Sequence, residues 1–223
     1  PNLRYYIRVE HYIFGTGMIV DGSDFDNDLD QAIKIAREQG DLQLLSELLI
    51  QSHGIYFRKR DHSAAVVIAR QRQTLCEHLG ENQRENAAFM MAQQYGAMGE
   101  LDKAVDQWES LISIQTREGT INSISLTYTA GAYRRAGRTG DALKTLEHAR
   151  SLSAAANDIV ALAFTLRSLS VMQQETGEYW PALENAYESI RLFRKAGMHW
   201  QAGAGEGNLP HIYQYLGDYP KAL

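Results

Sequence analysis

Four aspartates at alternate positions, Asp24, Asp26, Asp28 and Asp30, resemble the start of a calcium-binding loop. Such a loop needs Gly at its sixth position and Glu at its twelfth. Counted from Asp24, those places hold Leu29 and Ile35. A row of acids also suits a helix N-terminus, where it complements exposed amides and the helix dipole. We therefore read the aspartates as the acidic start of a helix and expect no metal. The seven histidines, at positions 11, 53, 62, 78, 148, 199 and 211, never pair on one helix face with a third ligand. The single cysteine, Cys76, sits among Ile68, Ala69, Leu75 and Leu79, the setting of a small core residue rather than of a nucleophile. Gly203-Ala204-Gly205-Glu206-Gly207 is glycine-rich but follows no strand and lacks dinucleotide-binding spacing. Neither a Gly-x-Ser-x-Gly elbow nor a phosphate-binding loop occurs. These residues predict no catalytic site and no cofactor, so any catalysis is expected in a domain outside this sequence.

The elements that would carry any site are set by an internal repeat. One column is aromatic: Tyr56, Tyr95, Tyr133, then Gln173, then Tyr213. Four residues on lies a turn column of Arg60, Gly99, Gly137, Gly177 and Gly217. Five further on lies a small-residue column of Ala65, Ala104, Ala142, Ala182 and Ala222. All three step by 39, 38, 40 and 40 residues. A fourth column, Gly40, Gly80, Gly119, Asn157 and Gly197, steps by 40, 39, 38 and 40. Gly past a helix end supplies the left-handed conformation that closes it, and Asn is the next best residue. Both Gly columns therefore predict helix ends. Between them apolar residues recur at helical spacing, as in Ala104, Val105, Trp108, Leu111 and Ile112. The Ala column predicts close helix approach. The Tyr column predicts rings filling the space between hairpins, with hydroxyls left for water or a partner.

Helices are expected at about 3–14, 26–39, 45–58, 62–78, 83–97, 101–117, 121–136, 139–155, 158–175, 179–196 and 200–216, with another starting near 219. Gly203, Gly205, Gly207 and Pro210 weaken the 200–216 segment, which should kink or restart at Asn208. Residues 1–44 are expected to form an irregular N-terminal helical hairpin, a cap or a divergent repeat. Residues 45–223 form about four and a half repeats, at 45–82, 83–120, 121–157, 158–199 and a shortened 200–223. The chain begins Pro1-Asn2 and stops within the apolar-periodic Lys221-Ala222-Leu223, so a longer polypeptide is expected around it.

The turns Gly217-Asp218-Tyr219-Pro220-Lys221-Ala222-Leu223, Gly177-Glu178-Tyr179-Trp180-Pro181-Ala182-Leu183 and Gly99-Glu100-Leu101-Asp102-Lys103-Ala104-Val105 resemble the inter-helix turn of tetratricopeptide repeats. The family unit is about 34 residues. The longer unit here resembles repeats in bacterial regulatory proteins such as diguanylate cyclases, kinases and transcription regulators. The resemblance implies an all-α, right-handed α-solenoid of antiparallel helical hairpins. Its implied role is non-catalytic binding of a protein or extended peptide, as the sensory or regulatory part of a larger signalling protein. A self-association scaffold, with a homodimer as its product, and an all-α enzyme with an unrecognised site are the alternatives.

In the family, first helices line the binding groove. The matching places here are Arg58, Asn86, Gln93, Tyr128, Arg134, Arg135, Arg167, Gln174, Asn208, His211, Gln214 and Tyr215. The set leans basic although the chain carries a net charge of −5. Arg forks and Asn amides suit carboxylates and peptide backbone, so an acidic peptide is expected, anchored near Arg134 and Arg167. The acidic balance argues against direct nucleic-acid binding. No apolar run reaches the ~18 residues of a membrane span, and no secretory signal opens the chain, so a cytoplasmic setting is expected.

Overall fold

The computed structural model describes residues 23–217, with side chains from 27 onward and excepting those of 81 and 82. The expected helices at 3–14 and near 219 lie outside the described residues. Eleven helices are described: α1 (Ser23–Gln39), α2 (Leu42–Arg58), α3 (His62–Cys76), α4 (Glu81–Met98), α5 (Leu101–Glu118), α6 (Ser123–Arg135), α7 (Thr139–Ala155), α8 (Ile159–Glu175), α9 (Tyr179–Lys195), α10 (His199–Glu206) and α11 (Leu209–Tyr215). The described residues contain no strand. The architecture is an all-α solenoid of helical hairpins.

The turns follow from local chemistry. Gly40, Gly99, Gly119, Gly137, Gly177, Gly197 and Gly217 all take positive φ, as do Arg60 and Asn157 in the same columns. From Gly40 to Gly197 each such residue closes a helix by letting the next amide reach back, as Asp41 N–H does to the Ala36 carbonyl at 3.1 Å. A capping side chain then opens several of the following helices: Asp41 accepts from Leu44 N–H, Asp61 from Ala64 N–H and Asp158 from Ala161 N–H. Gly80 departs from the columns. It is extended, with φ −63° and ψ 166°, and serves as N-cap of α4, because α3 already ends at Cys76.

The segment expected as one helix over 200–216 is two. The first, α10, ends at Glu206, and α11 restarts at Leu209 with Pro210 in its first turn, where the missing N–H costs nothing. Asn208 occupies the N-cap position without a side-chain capping bond, so proline geometry rather than capping carries the restart.

The chain divides into two compact units, one up to Ala104 and one from Val105, with α5 running through the division. In the first, Leu29, Ala32, Ala36, Leu45, Leu48 and Leu49 pack α1 against α2. A second cluster of Ala69, Met91, Tyr95 and Ala104 joins α3, α4 and the start of α5. In the second unit the core runs through Ala130, Leu146, Leu166, Leu169, Ile190 and Phe193. The Ala column is buried throughout its described members, Ala65, Ala104, Ala142 and Ala182, each at most 2% exposed. The glycine-rich segment shows the same need for a small residue at a helix contact. A Cβ on Gly205 would stand 2.8 Å from Ile190 Cγ1, so α10 approaches α9 closer than alanine allows.

Three of the four Tyr hydroxyls in the column are engaged rather than left open. Tyr95 accepts from Arg70 at 3.2 Å, Tyr133 donates to Glu109 at 2.9 Å, and Tyr213 pairs with Tyr187 at 2.6 Å. In each case the partner lies on the second helix of the preceding hairpin, about 25 residues upstream. Partial burial and the bond to Glu109 push the Tyr133 hydroxyl up to about 12, so it stays a donor. Gln173, the exception in the column, accepts instead from Asn185 of its own hairpin at 2.8 Å.

Candidate functional site

In the second unit, α6, α7, α8 and α10 enclose an open cavity of ≈ 300 Å³. Ala130, Leu146, Val171, Met172 and Ala204 make its wall apolar, and small residues leave the space that larger ones would fill. Its polar groups are Arg134, Arg167, Ser168 and Asn208. Three residues of the predicted groove, Arg134, Arg167 and Asn208, therefore meet at one place, carried by successive first helices and the break before α11.

The two arginines differ. Arg134 Nη1 donates to Glu175 Oε1 at 2.7 Å, across the ends of α6 and α8. Both partners are partly in water, with side chains 38% and 48% exposed, so the pair is weak. Arg167 is half-buried and has no ion pair among the described residues. Its guanidinium lies over the Phe164 ring at 5.0 Å and the Phe193 ring at 5.7 Å. Those rings meet edge-on at 4.9 Å and hold the cation by their negative faces. Burial pulls the Arg167 pKa below the ordinary arginine value, the sign of a cation stripped of part of its water without a carboxylate in return. Ser168 Oγ is spent on the Phe164 carbonyl at 3.1 Å.

The other predicted groove residues fall elsewhere. Tyr128 stands 47% exposed with one face stacked on buried Trp108, centroids 5.6 Å apart and planes 5° from parallel. Gln174 turns its amide onto the Ser170 carbonyl of its own helix at 3.2 Å. Arg135 is exposed at the end of α6 and has interactions of its own. His211, Gln214 and Tyr215 are exposed on α11, Tyr215 stacked on Tyr179 at 4.8 Å. Arg58, Asn86 and Gln93 belong to the first unit, with Gln93 half-buried and the other two exposed.

Phe164, Phe193 and Glu175 escaped the sequence reading. Phe164 precedes Arg167 by three residues on one helix, a spacing that places side chains together. Glu175 lies 40 residues after Arg135, one repeat step, so a sign reversal in adjacent columns was there to be seen. Nothing in the pattern reaches Phe193.

The expected role of Cys76 holds: it is fully buried, with Sγ 3.8 Å from Ser46 Oγ. The described residues bring together no three His, Cys, Asp or Glu side chains able to hold a metal ion. Asp24 and Asp26 have no described side chains. No helix among the described residues is long and apolar enough to cross a membrane. A pocket of ≈ 410 Å³ in the first unit is bounded by three leucines, Leu45, Leu49 and Leu75, together with Arg37, Gln71, Thr74 and His78.

This architecture is the tetratricopeptide-type fold, an array of antiparallel helical hairpins. No family model matches the sequence, and no curated protein matches it. Solved structures do. BtubC from P. vanneervenii is similar with a TM-score of 0.77 over 88% of this chain and 84% of its own, at 15% identity. The apo form of RapI matches at 0.72 over 90% of this chain, at 16% identity. A Rap protein complexed with competence and sporulation factor matches at 0.71 over 99%, at 15% identity. The chain spans 57% and 61% of the lengths of these two Rap proteins.

Proposed function

We propose that this chain is a non-catalytic repeat module that binds a protein or extended peptide, with the cavity of the second unit as its anchor point for an acidic residue. The observation that carries the reading is Arg167: a half-buried cation at an open apolar cavity, stacked on two rings and lacking a carboxylate. A carboxylate arriving there would meet a guanidinium already part-desolvated, where charge-assisted bonds are strong. Asn208 at the same cavity offers an amide to peptide backbone. The solved Rap complex supports the general reading, since that protein of the same fold is complexed with competence and sporulation factor. A further structure of this fold type is a signal transduction ATPase from Pyrococcus horikoshii with a tetratricopeptide repeat sensor; it matches at a TM-score of 0.72, and the chain spans 32% of its length. It supports a sensory role within a larger signalling protein, the setting we favour for this chain.

The test is binding of blocked peptides carrying one glutamate among small residues, followed by the guanidinium N–H resonances of the full chain. Arg167 should shift first, and Arg167→Met should weaken binding about tenfold or more, as loss of a charge-assisted pair does. Peptides that bind equally well to Arg167→Met would remove the cavity from the mechanism.

A further inference from the structure

We infer that Glu175 is a specificity-determining residue of this pocket, a built-in carboxylate that occupies Arg134 and so makes the site select ligands presenting a single negative charge. The inference rests on the pocket reading above and concerns what that pocket rejects.

Three observations lead to it. First, the pocket has two cations but only one is uncommitted. Arg134 is bonded to Glu175 at 2.7 Å, whereas Arg167 has no ion pair among the described residues. The net charge of the three groups is therefore that of Arg167 alone. Second, the pair joins the ends of α6 and α8, helices one repeat apart, so it is the packing of successive repeats that brings Glu175 to the cavity-lining Arg134. Third, the remaining polar groups add no charge. Asn208 is neutral, and the Ser168 hydroxyl is engaged with the Phe164 carbonyl.

A ligand with one carboxylate meets Arg167 and leaves the Arg134–Glu175 pair intact. A ligand with a second carboxylate gains no free cation. It must break the internal pair, and the displaced Glu175 then faces it as a like charge. Discrimination by such a repulsive element is a general way to refuse a near-cognate partner. Because the pair is exposed and weak, Glu175 acts as a filter on charge and not as a lock on the structure.

The experiment compares two N-acetylated, C-amidated glycine–alanine peptides, one with a single Glu and one with two adjacent Glu, titrated into the full chain. Binding is read from the Arg134 and Arg167 guanidinium N–H resonances. The natural protein should bind the two-Glu peptide no more tightly than the single-Glu peptide, the repulsion from Glu175 cancelling the roughly twofold statistical advantage of a second carboxylate. Glu175→Gln keeps the side-chain size, frees Arg134 and removes the repulsion. It should favour the two-Glu peptide by at least about fivefold, with Arg134 shifting as well as Arg167. In the double variant with Arg134→Gln the pocket returns to one cation, and the preference should fall back to that of the natural protein, isolating the pairwise effect. If single-Glu peptide moves Arg167 but Glu175→Gln leaves the preference unchanged, the filter is refuted while the pocket reading stands. If neither peptide moves Arg167, the pocket reading fails and the filter with it.

Discussion

Arg72 in the first unit and Arg167 in the second are both cations without a carboxylate, and they have opposite characters. Arg72 is 0% exposed, wedged between α2 and α4. Its donors are taken by neutral acceptors: Ser46 Oγ at 3.2 Å, Met90 Sδ at 3.2 Å and Gln83 Oε1 at 2.8 Å. Burial lowers its pKa, as it does for Arg167. Among the described residues Arg167 makes no such bonds; it lies on rings and opens onto a cavity. The same residue type thus serves cohesion where its hydrogen bonds are satisfied inside, and recognition where they are left for something outside. Burial alone does not separate the two; satisfaction does.

The comparison can be broken most directly by truncating each arginine. Arg72→Ala leaves a cavity and takes a donor away from Ser46, Met90 and Gln83, so unfolding free energy in urea should fall by about 3 kcal/mol. Arg72→Met, which fills the space with apolar atoms, should recover most of that loss, because a buried charge replaced by a packed hydrophobe is often neutral. Arg167→Ala should cost only about 1 kcal/mol, the scale of its ring contacts. Equal losses for the two alanine variants would erase the distinction.

A second contrast lies between neighbouring glycines of α10. Gly205→Ala forces a methyl against Ile190 and should destabilise by about 1–2 kcal/mol, measured by thermal unfolding. Gly203→Ala meets open space and should stabilise by about 0.5–1 kcal/mol through helix propensity.

The polar layer of the first unit also has a pH signature. His53 is 7% exposed, and its Nε2 lacks a partner. Burial lowers its pKa, the neighbouring Gln94 side chain opposes this, and the Arg72 charge lowers it further. A folded pKa below the unfolded one means that the unfolded chain takes up the proton first. His53 therefore contributes stability above the ordinary histidine range and loses it as pH falls through about 6.5. Urea midpoints between pH 8 and pH 5 should drop more for the natural protein than for His53→Gln. Matching curves would show that the imidazole stays wet.

The smallest effect is expected at the turn of the first unit where Arg60 holds φ at 58°. Arg60→Gly should relieve this by about 0.5–1 kcal/mol in the same urea assay. No gain would show that the arginine side chain holds the turn by other means.

Much of the fold could be read because a solenoid repeats its instructions. Gly137 and Gly177 mark their helix ends by type, and nine members of the two turn columns take positive φ. Gly80 misled because its helix ends early at Cys76, and an extended residue then fills the gap. The candidate site was legible in part. Helical phase placed Arg134, Arg167 and Asn208 on first helices, and the fold gathers those three at one cavity. Their different states were not legible, since Glu175 and Phe193 reach them through packing between repeats and not through spacing within one helix. The Tyr hydroxyls were misread for the same reason: a ring can be placed from its own helix, but its hydrogen-bond partner sits on the hairpin before.

The hydroxyls of Tyr95, Tyr133 and Tyr213 each fasten a hairpin to its predecessor, whereas Gln173 turns inward to Asn185. At that joint the described cross-links run between first helices, through the Thr127–Thr165 hydroxyl pair at 2.9 Å and the Arg134–Glu175 pair. Under mechanical load, such a joint would open like a book whose clasp is on the reading side. Prying Glu175 away from Arg134 removes only the exposed part of that clasp and leaves the Thr127–Thr165 pair and the apolar core in place, so charge can be exchanged at the cavity at little cost to the joint.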